Sequence, residues 1–317
     1  MLRPLAGLGA ACLSIVLLAT AGDARAQVAA AAPDIAQKIA GFGRVINPPD
    51  IAALYAPLHE KEPYAGVKVT RDLKYGPADR NLLDVFATEG ASGARPVLIF
   101  VHGGGFVAGN KRAPGTPFND QVPLWAARNG FIGVNMTYRL APQNPWPAGA
   151  QDMGAAVRWV RANIAAHGGD PARVFLMGHS AGAVHVASYV AQPTFHGPDG
   201  IGLAGAILVS GLFDLTARPP GPPEKAYFGE DTATYADRSS LPGLLKARIP
   251  LLVVYAELDP PAFEQESEKL NAALCQEKRC PKLVKLPGHS HISEVYAINT
   301  KDVGLTNEIL AFTKAAR

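Results

Sequence analysis

Val174-Phe175-Leu176-Met177-Gly178-His179-Ser180-Ala181-Gly182-Ala183-Val184 decides the reading of this chain. An uninterrupted apolar run ends in Gly-His-Ser-Ala-Gly and passes straight into a helical stretch, Ala183 to Ala191. A strand, a sharp turn and a helix in that order form the setting of a nucleophile elbow. The serine must sit on a tight, strained turn, where side chains two positions to either side would collide. Gly178 and Gly182 remove that collision. The helix that follows brings the positive end of its dipole to Ser180.

Outward from this point, other apolar runs alternate with helical patterns. Pro96 to Val101 is continuously apolar, as a strand buried on both faces is. Ile132 to Met136, Ala206 to Val209, Leu251 to Tyr255 and Leu283 to Leu286 read the same way, while Val67 to Leu73 and Leu82 to Ala87 alternate like half-buried strands. Ala148 to Ala166, Glu264 to Leu274 and Val303 to Lys314 carry helical spacing. Strands interleaved with helices predict an α/β fold with a mostly parallel central sheet covered by helices on both faces. Arg218 to Leu241, rich in Pro, Gly and charge, reads as an irregular excursion of the kind that borders active sites.

Two further segments carry chemistry. His102-Gly103-Gly104-Gly105-Phe106 follows the strand Pro96 to Val101. Its glycines let the backbone approach a ligand and aim N–H groups at a developing negative oxygen. A phosphate loop would need Gly-x-x-x-x-Gly-Lys-Ser/Thr, which is absent. His102 is read as a residue that shapes the loop. Near the C-terminus, Glu257-Leu258-Asp259-Pro260 and Gly288-His289-Ser290-His291 each follow a predicted strand. They supply an acid and a histidine at the strand ends where ligands bind in open α/β sheets. Glu257 and Asp259 compete as the acid, and His289 and His291 as the base.

This combination resembles the α/β-hydrolase superfamily, in particular the hormone-sensitive-lipase-like and related bacterial carboxylesterases. His-Gly-Gly-Gly-Phe, Tyr138-Arg139-Leu140-Ala141-Pro142, Gly-His-Ser-Ala-Gly and Leu258-Asp259-Pro260 stand in that family's order, from about Val67 to Phe312. The resemblance implies an α/β-hydrolase fold with a short lid and a Ser180–Asp259–His291 triad, favouring Asp259 over Glu257 and His291 over His289. It places oxyanion donors at Gly104, Gly105 and Ala181. Phe106 and Phe213 are expected at the substrate, and Trp146, Tyr227 and Phe228 are further aromatic candidates for the pocket. The expected activity is cleavage of short-chain or aryl carboxylic esters, small-molecule substrates, through an acyl-enzyme, with no cofactor and no metal. An amidase or arylformamidase on the same scaffold is the alternative, although formamidase relatives tend to carry Trp where this chain has Phe106. A non-catalytic binding protein on this scaffold would commonly lack a triad member.

Composition agrees with a globular chain of this kind. With 48% hydrophobic and 18% charged residues, the 317 residues exclude a disordered or collagen-like protein. A net charge of +3 without a basic cluster argues against nucleic acid as a partner. Arg3, the uncharged Leu5 to Gly22 and Ala24-Arg25-Ala26 have the layout of a secretory leader cut after Ala26. The expected organisation is therefore a signal peptide over residues 1–26, an N-terminal arm or lid over 27–66 and a catalytic domain over 67–317. The mature chain is expected to be exported, periplasmic or secreted, with no stable membrane anchor. Cys275 and Cys280 would then be free to form a disulfide in an oxidising compartment.

Overall fold

The computed structural model describes Met1, residues 33–113 and residues 115–316. The expected leader beyond Met1, the expected cleavage point after Ala26 and the first residues of the arm lie outside the described residues. Eight strands form one sheet: β1 (Val67–Lys74), β2 (Leu82–Thr88), β3 (Arg95–Val101), β4 (Ile132–Met136), β5 (Gly169–His179), β6 (Gly205–Val209), β7 (Leu251–Leu258) and β8 (Lys282–Ser290). Their order is β1-β2-β4-β3-β5-β6-β7-β8. β2 pairs antiparallel with β1 and β4, and every other neighbouring pair is parallel. This is the sheet that the resemblance implies.

The central strands show why their sequences are apolar without alternation. Val97, Ile99 and Val101 face one core, and Leu98 and Phe100 face another. On the first face pack α4 (Ala148–Asn163), α5 (Ala181–Ala191) and α9 (Pro261–Gln276), through Met153, Val157, Val186, Tyr189, Leu270 and Leu274. On the second pack α3 (Gln121–Arg128) and α11 (Gly304–Ala315), through Val122, Trp125, Ile309 and Phe312. A strand sandwiched in this way has no solvent face, so period-two patterning disappears. Helix α3 was not anticipated from the sequence. At eight residues it is too short for helical spacing to repeat along the chain.

Before β1 lie α1 (Pro33–Phe42) and α2 (Pro48–Tyr55). They dock through Ile39, Ile51 and Tyr55 on Phe118, Ile292 and Ala297, close to the C-terminal ends of the strands. The excursion after β6 is more regular than its composition suggests. It holds α6 (Pro222–Phe228) and α7 (Tyr235–Arg238), followed by α8 (Leu241–Leu244). The remaining short helix, α10 (Ser293–Tyr296), follows β8 directly.

A buried ionic network ties the segment between β3 and α3 to the antiparallel edge. Lys111 Nζ donates to Asp72 and Asp84 at 2.6 Å each, and Arg71 donates to Asp84 and Asp120. Asn135 Nδ2 donates to the Lys111 carbonyl at 2.6 Å. Lys111 and Asp84 are buried, and charges that deep are costly unless each is paired. Here the pairing fixes a segment whose Asn110, Ala113 and Asn119 line the cavity that holds Ser180.

Candidate active site

Ser180 sits between β5 and α5 at φ +56° and ψ −124°, a conformation rarely adopted by a residue with a side chain. Its amide donates to Val209 of the neighbouring strand at 2.9 Å, which anchors the turn. The two flanking glycines are required by contact. A Cβ on Gly178 would lie 2.3 Å from the Gly182 carbonyl oxygen, and a Cβ on Gly182 would lie 2.3 Å from that of Val101. The elbow is thus pressed against itself and against the end of β3.

The other two residues arrive through strand register. β7 and β8 run parallel, and after an irregularity their last pair is Leu258 with Ser290. Asp259 and His291 are the next residue on each strand, so the pairing sets the acid beside the base. His291 Nδ1 lies 2.7 Å from Asp259 Oδ1, and His291 Nε2 lies 2.8 Å from Ser180 Oγ. Asp259 and His291 are fully buried. Asp259 Oδ2 accepts from the Ala256 amide at 2.8 Å and from Ser210 Oγ at 2.6 Å. Phe263 packs against the His291 ring, with centroids 4.2 Å apart. Arg44 from the arm donates through Nε to the Asp259 carbonyl at 2.5 Å.

The competing candidates are engaged elsewhere. Glu257 accepts from the Gly288 amide at 2.8 Å near the surface. His289 is buried, with Nε2 3.1 Å from Asp302 Oδ2 and Nδ1 3.2 Å from Ser293 Oγ.

The glycine loop leaves β3 beside the elbow, because β3 and β5 are neighbours with Val101 opposite Gly178. Gly104 has φ +125°, and a Cβ there would meet the Ala108 carbonyl oxygen at 2.1 Å. Gly103, Gly104, Gly105 and Ala181 line one cavity with Ser180 and His291. Among the described residues, neither the Gly104 nor the Gly105 amide donates to a protein acceptor. Donors held open at the mouth of a helix can stabilise an oxyanion. His102 supports the loop from behind. It is buried, stacks on Tyr138 at 4.4 Å, and lies with Nδ1 2.6 Å from the Gly103 carbonyl oxygen. Burial lowers its pKa to about 4, so the ring is neutral near neutrality and Nδ1–H is the donor.

His179 lies under the triad. Its Nε2 is 2.6 Å from the His291 carbonyl oxygen. Burial, with the neighbouring His291 second, pulls the His179 pKa down to about 3, so it donates as a neutral ring. Glu294, in the first turn of α10 and three residues beyond His291, has an oxygen 3.5 Å from His179 Nε2 and 2.5 Å from Ser210 Oγ. His179, His291 and Glu294 bring one potential ligand atom each within 4.8 Å of the others, as a cation site would. Both ring nitrogens of His291 are already taken by Asp259 and Ser180, however, so the cluster reads as a hydrogen-bond network.

The cavity is about 550 Å³, within the range of small-molecule sites. Its walls are largely apolar. Phe106, Val184 and Leu212, which belong to one apolar cluster, line it together with Ile46, Pro48, Phe263 and Tyr296. Ile46 and Pro48 belong to the N-terminal arm, and Pro223 and Glu224 to the excursion, so both segments border the site. Phe106 lines the cavity, as expected. Phe213 does not: it is 1% exposed and packs into the main core. Trp146, Tyr227 and Phe228 also stand back from the cavity. They form an aromatic cluster behind Phe106, with Tyr227 stacked on Phe106 at 4.8 Å. His185 lies among them without a hydrogen-bond partner, a packing residue. Sequence reasoning missed Ser210, Glu294, Arg44, Ile46 and Pro48. None sits in a motif, because each acts through tertiary contact alone.

Residues 83–195 match the family model BD-FAE. Esterase LipQ of Mycobacterium tuberculosis is 35% identical over 211 residues, which cover 63% of this chain and 48% of that protein. Carboxylesterase NlhH of the same organism is 42% identical over 98 residues, 31% of this chain and 29% of that protein. The chain thus spans about half or less of the length of these relatives. Esterase B from Lactobacillus rhamnosis superposes with a TM-score of 0.70 at 18% identity, covering 89% of this chain and 94% of that one. At that identity the likeness is one of fold.

Proposed function

We propose that this chain is an α/β-hydrolase akin to the hormone-sensitive-lipase-like carboxylesterases and a serine hydrolase of carboxylic esters. One observation carries the proposal: the unbroken relay from Ser180 through His291 to Asp259, at 2.8 and 2.7 Å. His291 Nε2 accepts the Ser180 proton as Oγ attacks the ester carbonyl, and returns it to the departing alcohol. Asp259 holds His291 in the tautomer with Nδ1 protonated and stabilises the imidazolium. The amides of Gly104, Gly105 and Ala181 receive the negative oxygen of the tetrahedral intermediate. Water then cleaves the acyl-enzyme by the same relay. Named esterases among the relatives support this reading.

The substrates are short-chain or aryl esters. Apolar walls and a cavity of about 550 Å³ favour a compact, uncharged acyl or aryl group beside Phe106, Val184 and Leu212. The site of action is outside the cytoplasm. The leader pattern ending at Ala26 supports export, as does the bond between Cys275 and Cys280, which is rare in reducing compartments.

Hydrolysis of p-nitrophenyl esters from acetate to laurate by the mature protein tests the reading, with Ser180→Ala alongside. Short esters should turn over, and loss of the serine should cost on the order of 10⁶ in kcat. If an anilide or N-formyl substrate were cleaved and no ester were, the amidase reading would replace this one.

A further inference from the structure

A single hydroxyl stands between two buried carboxyl groups. Ser210, at the end of β6, is fully buried, and its Oγ lies 2.6 Å from Asp259 Oδ2 and 2.5 Å from Glu294 Oε1. A hydroxyl has one hydrogen. It can donate to one carboxylate only, and a second ionised oxygen at 2.5 Å would face its lone pairs. One of the two carboxyl groups therefore brings its own proton to Ser210.

The surroundings say which. Asp259 receives three donors: the Ala256 amide, His291 Nδ1 and Ser210. That is the environment of an anion. Glu294 is 1% exposed, and its second oxygen has no partner. The titratable groups that face it are Asp259, His179 and His291. The nearby His289 and Asp302 are paired with each other. Asp259 repels a second negative charge, and the neutral His179 at 3.5 Å is too distant for a good hydrogen bond.

We propose that Glu294 is a positioning residue that works as a neutral acid: its O–H donates to Ser210, whose O–H donates to Asp259, and this chain fixes the carboxylate that orients His291. Burial, together with the Asp259 charge, raises the Glu294 pKa well above the carboxylate range, in agreement with a retained proton. The proposal rests on the serine-hydrolase reading for its link to turnover, but the location of the proton does not.

The test compares Glu294→Gln and Glu294→Ala with the unmodified enzyme. The glutamine amide can still donate to Ser210, whereas alanine cannot. With p-nitrophenyl butyrate, Glu294→Ala should lose about 10- to 100-fold in kcat, with KM changed by no more than about twofold. Glu294→Gln should recover to within about threefold of the unmodified enzyme. The pH profile separates a neutral from an ionised group. Removing an ionised carboxylate this near His291 would move the acidic limb of kcat to lower pH, whereas replacing a protonated one by an amide should leave that limb in place. Infrared spectroscopy at about pH 8 should show a buried carboxylic-acid carbonyl band that disappears in Glu294→Gln, since an ordinary glutamate is ionised there. Absence of that band, a Gln variant as impaired as Ala, or an Ala variant with full turnover would each overturn the proposal. If the unmodified protein hydrolyses no ester and a fluorophosphonate fails to label Ser180, the esterase reading and the positioning role fall together. The infrared band would still decide where the proton sits.

Discussion

His179 Nε2 lies 2.6 Å from the backbone carbonyl oxygen of His291, so the residue beside Ser180 holds the loop that carries His291. β5 and β8 are not neighbours in the sheet. This contact joins their ends directly, across the ends of β6 and β7, and couples the two halves of the relay.

Replacing His179 by leucine keeps bulk and removes the donor. A net hydrogen bond is worth about 0.5–1.5 kcal/mol, so kcat should fall about 3- to 10-fold. Ser180 labelling by a fluorophosphonate should slow by the same ratio, while the melting temperature moves by only a few degrees. Turnover equal to that of the unmodified enzyme would show that the contact does not hold His291 in place.

Gly104 stands at φ +125° with the Ala108 carbonyl oxygen 2.1 Å from any Cβ placed there. Gly104→Ala must distort the loop that carries the Gly104 and Gly105 amides. Loss of one oxyanion donor typically costs about 10²–10³ in kcat. Steady-state kinetics should show that loss with KM little altered. An active Gly104→Ala enzyme would move the oxyanion site elsewhere.

Acid should destabilise this protein early. Burial lowers the pKa of His102 to about 4 and those of His179 and His185 to about 3, while the unfolded chain binds these protons near the ordinary value of 6.5. Stability from these groups is therefore present above about pH 6.5 and is lost as the pH falls towards the folded values. Each contributes a slope of about 1.4 kcal/mol per pH unit in that window. Urea unfolding between pH 6.5 and 5 should show a steep decline. His185→Leu, which touches no catalytic group, should flatten the slope by on the order of 1 kcal/mol per pH unit.

Cys275 and Cys280 are joined at the end of α9, away from the triad. Cys275→Ser with Cys280→Ser should cost about 2 kcal/mol of stability in the chain-entropy model and leave ester turnover essentially unchanged. Thiol titration of the unfolded, unreduced mature protein should find no free thiol. Two free thiols would remove the disulfide, and with it one support for export.

Much of the fold is legible in the chain because the elements that build it are local. The apolar runs of β3 and β5 needed no partner to be recognised, since a strand covered on both faces excludes polar residues at every position. The glycines of residues 103–105, 178 and 182 were equally legible, because the conformations and close approaches they permit are properties of the backbone. Helix α3 was missed for a different reason: eight residues are too few for a helical period to repeat.

The site divides in the same way. Ser180 announces itself by its turn, and Asp259 and His291 by their place after strands. Phe213 shows the limit of this reasoning, since an aromatic residue fits a core as well as a pocket, and here it lies in the core.

By itself, the sequence determined the alternation of strands and helices, the elbow, the glycine loop and the chain order of serine, acid and histidine. Local sterics and hydrophobic period suffice for those. The resemblance already favoured Asp259 over Glu257 and His291 over His289, but only the tertiary structure, through the pairing of Leu258 with Ser290, brings those two side chains together. It alone brought the arm's Ile46 and Pro48 to the cavity, and Ser210 and Glu294 to the back of Asp259. Those contacts join residues tens to hundreds of positions apart, and no period or motif records a hydrogen bond that exists only once the sheet has closed.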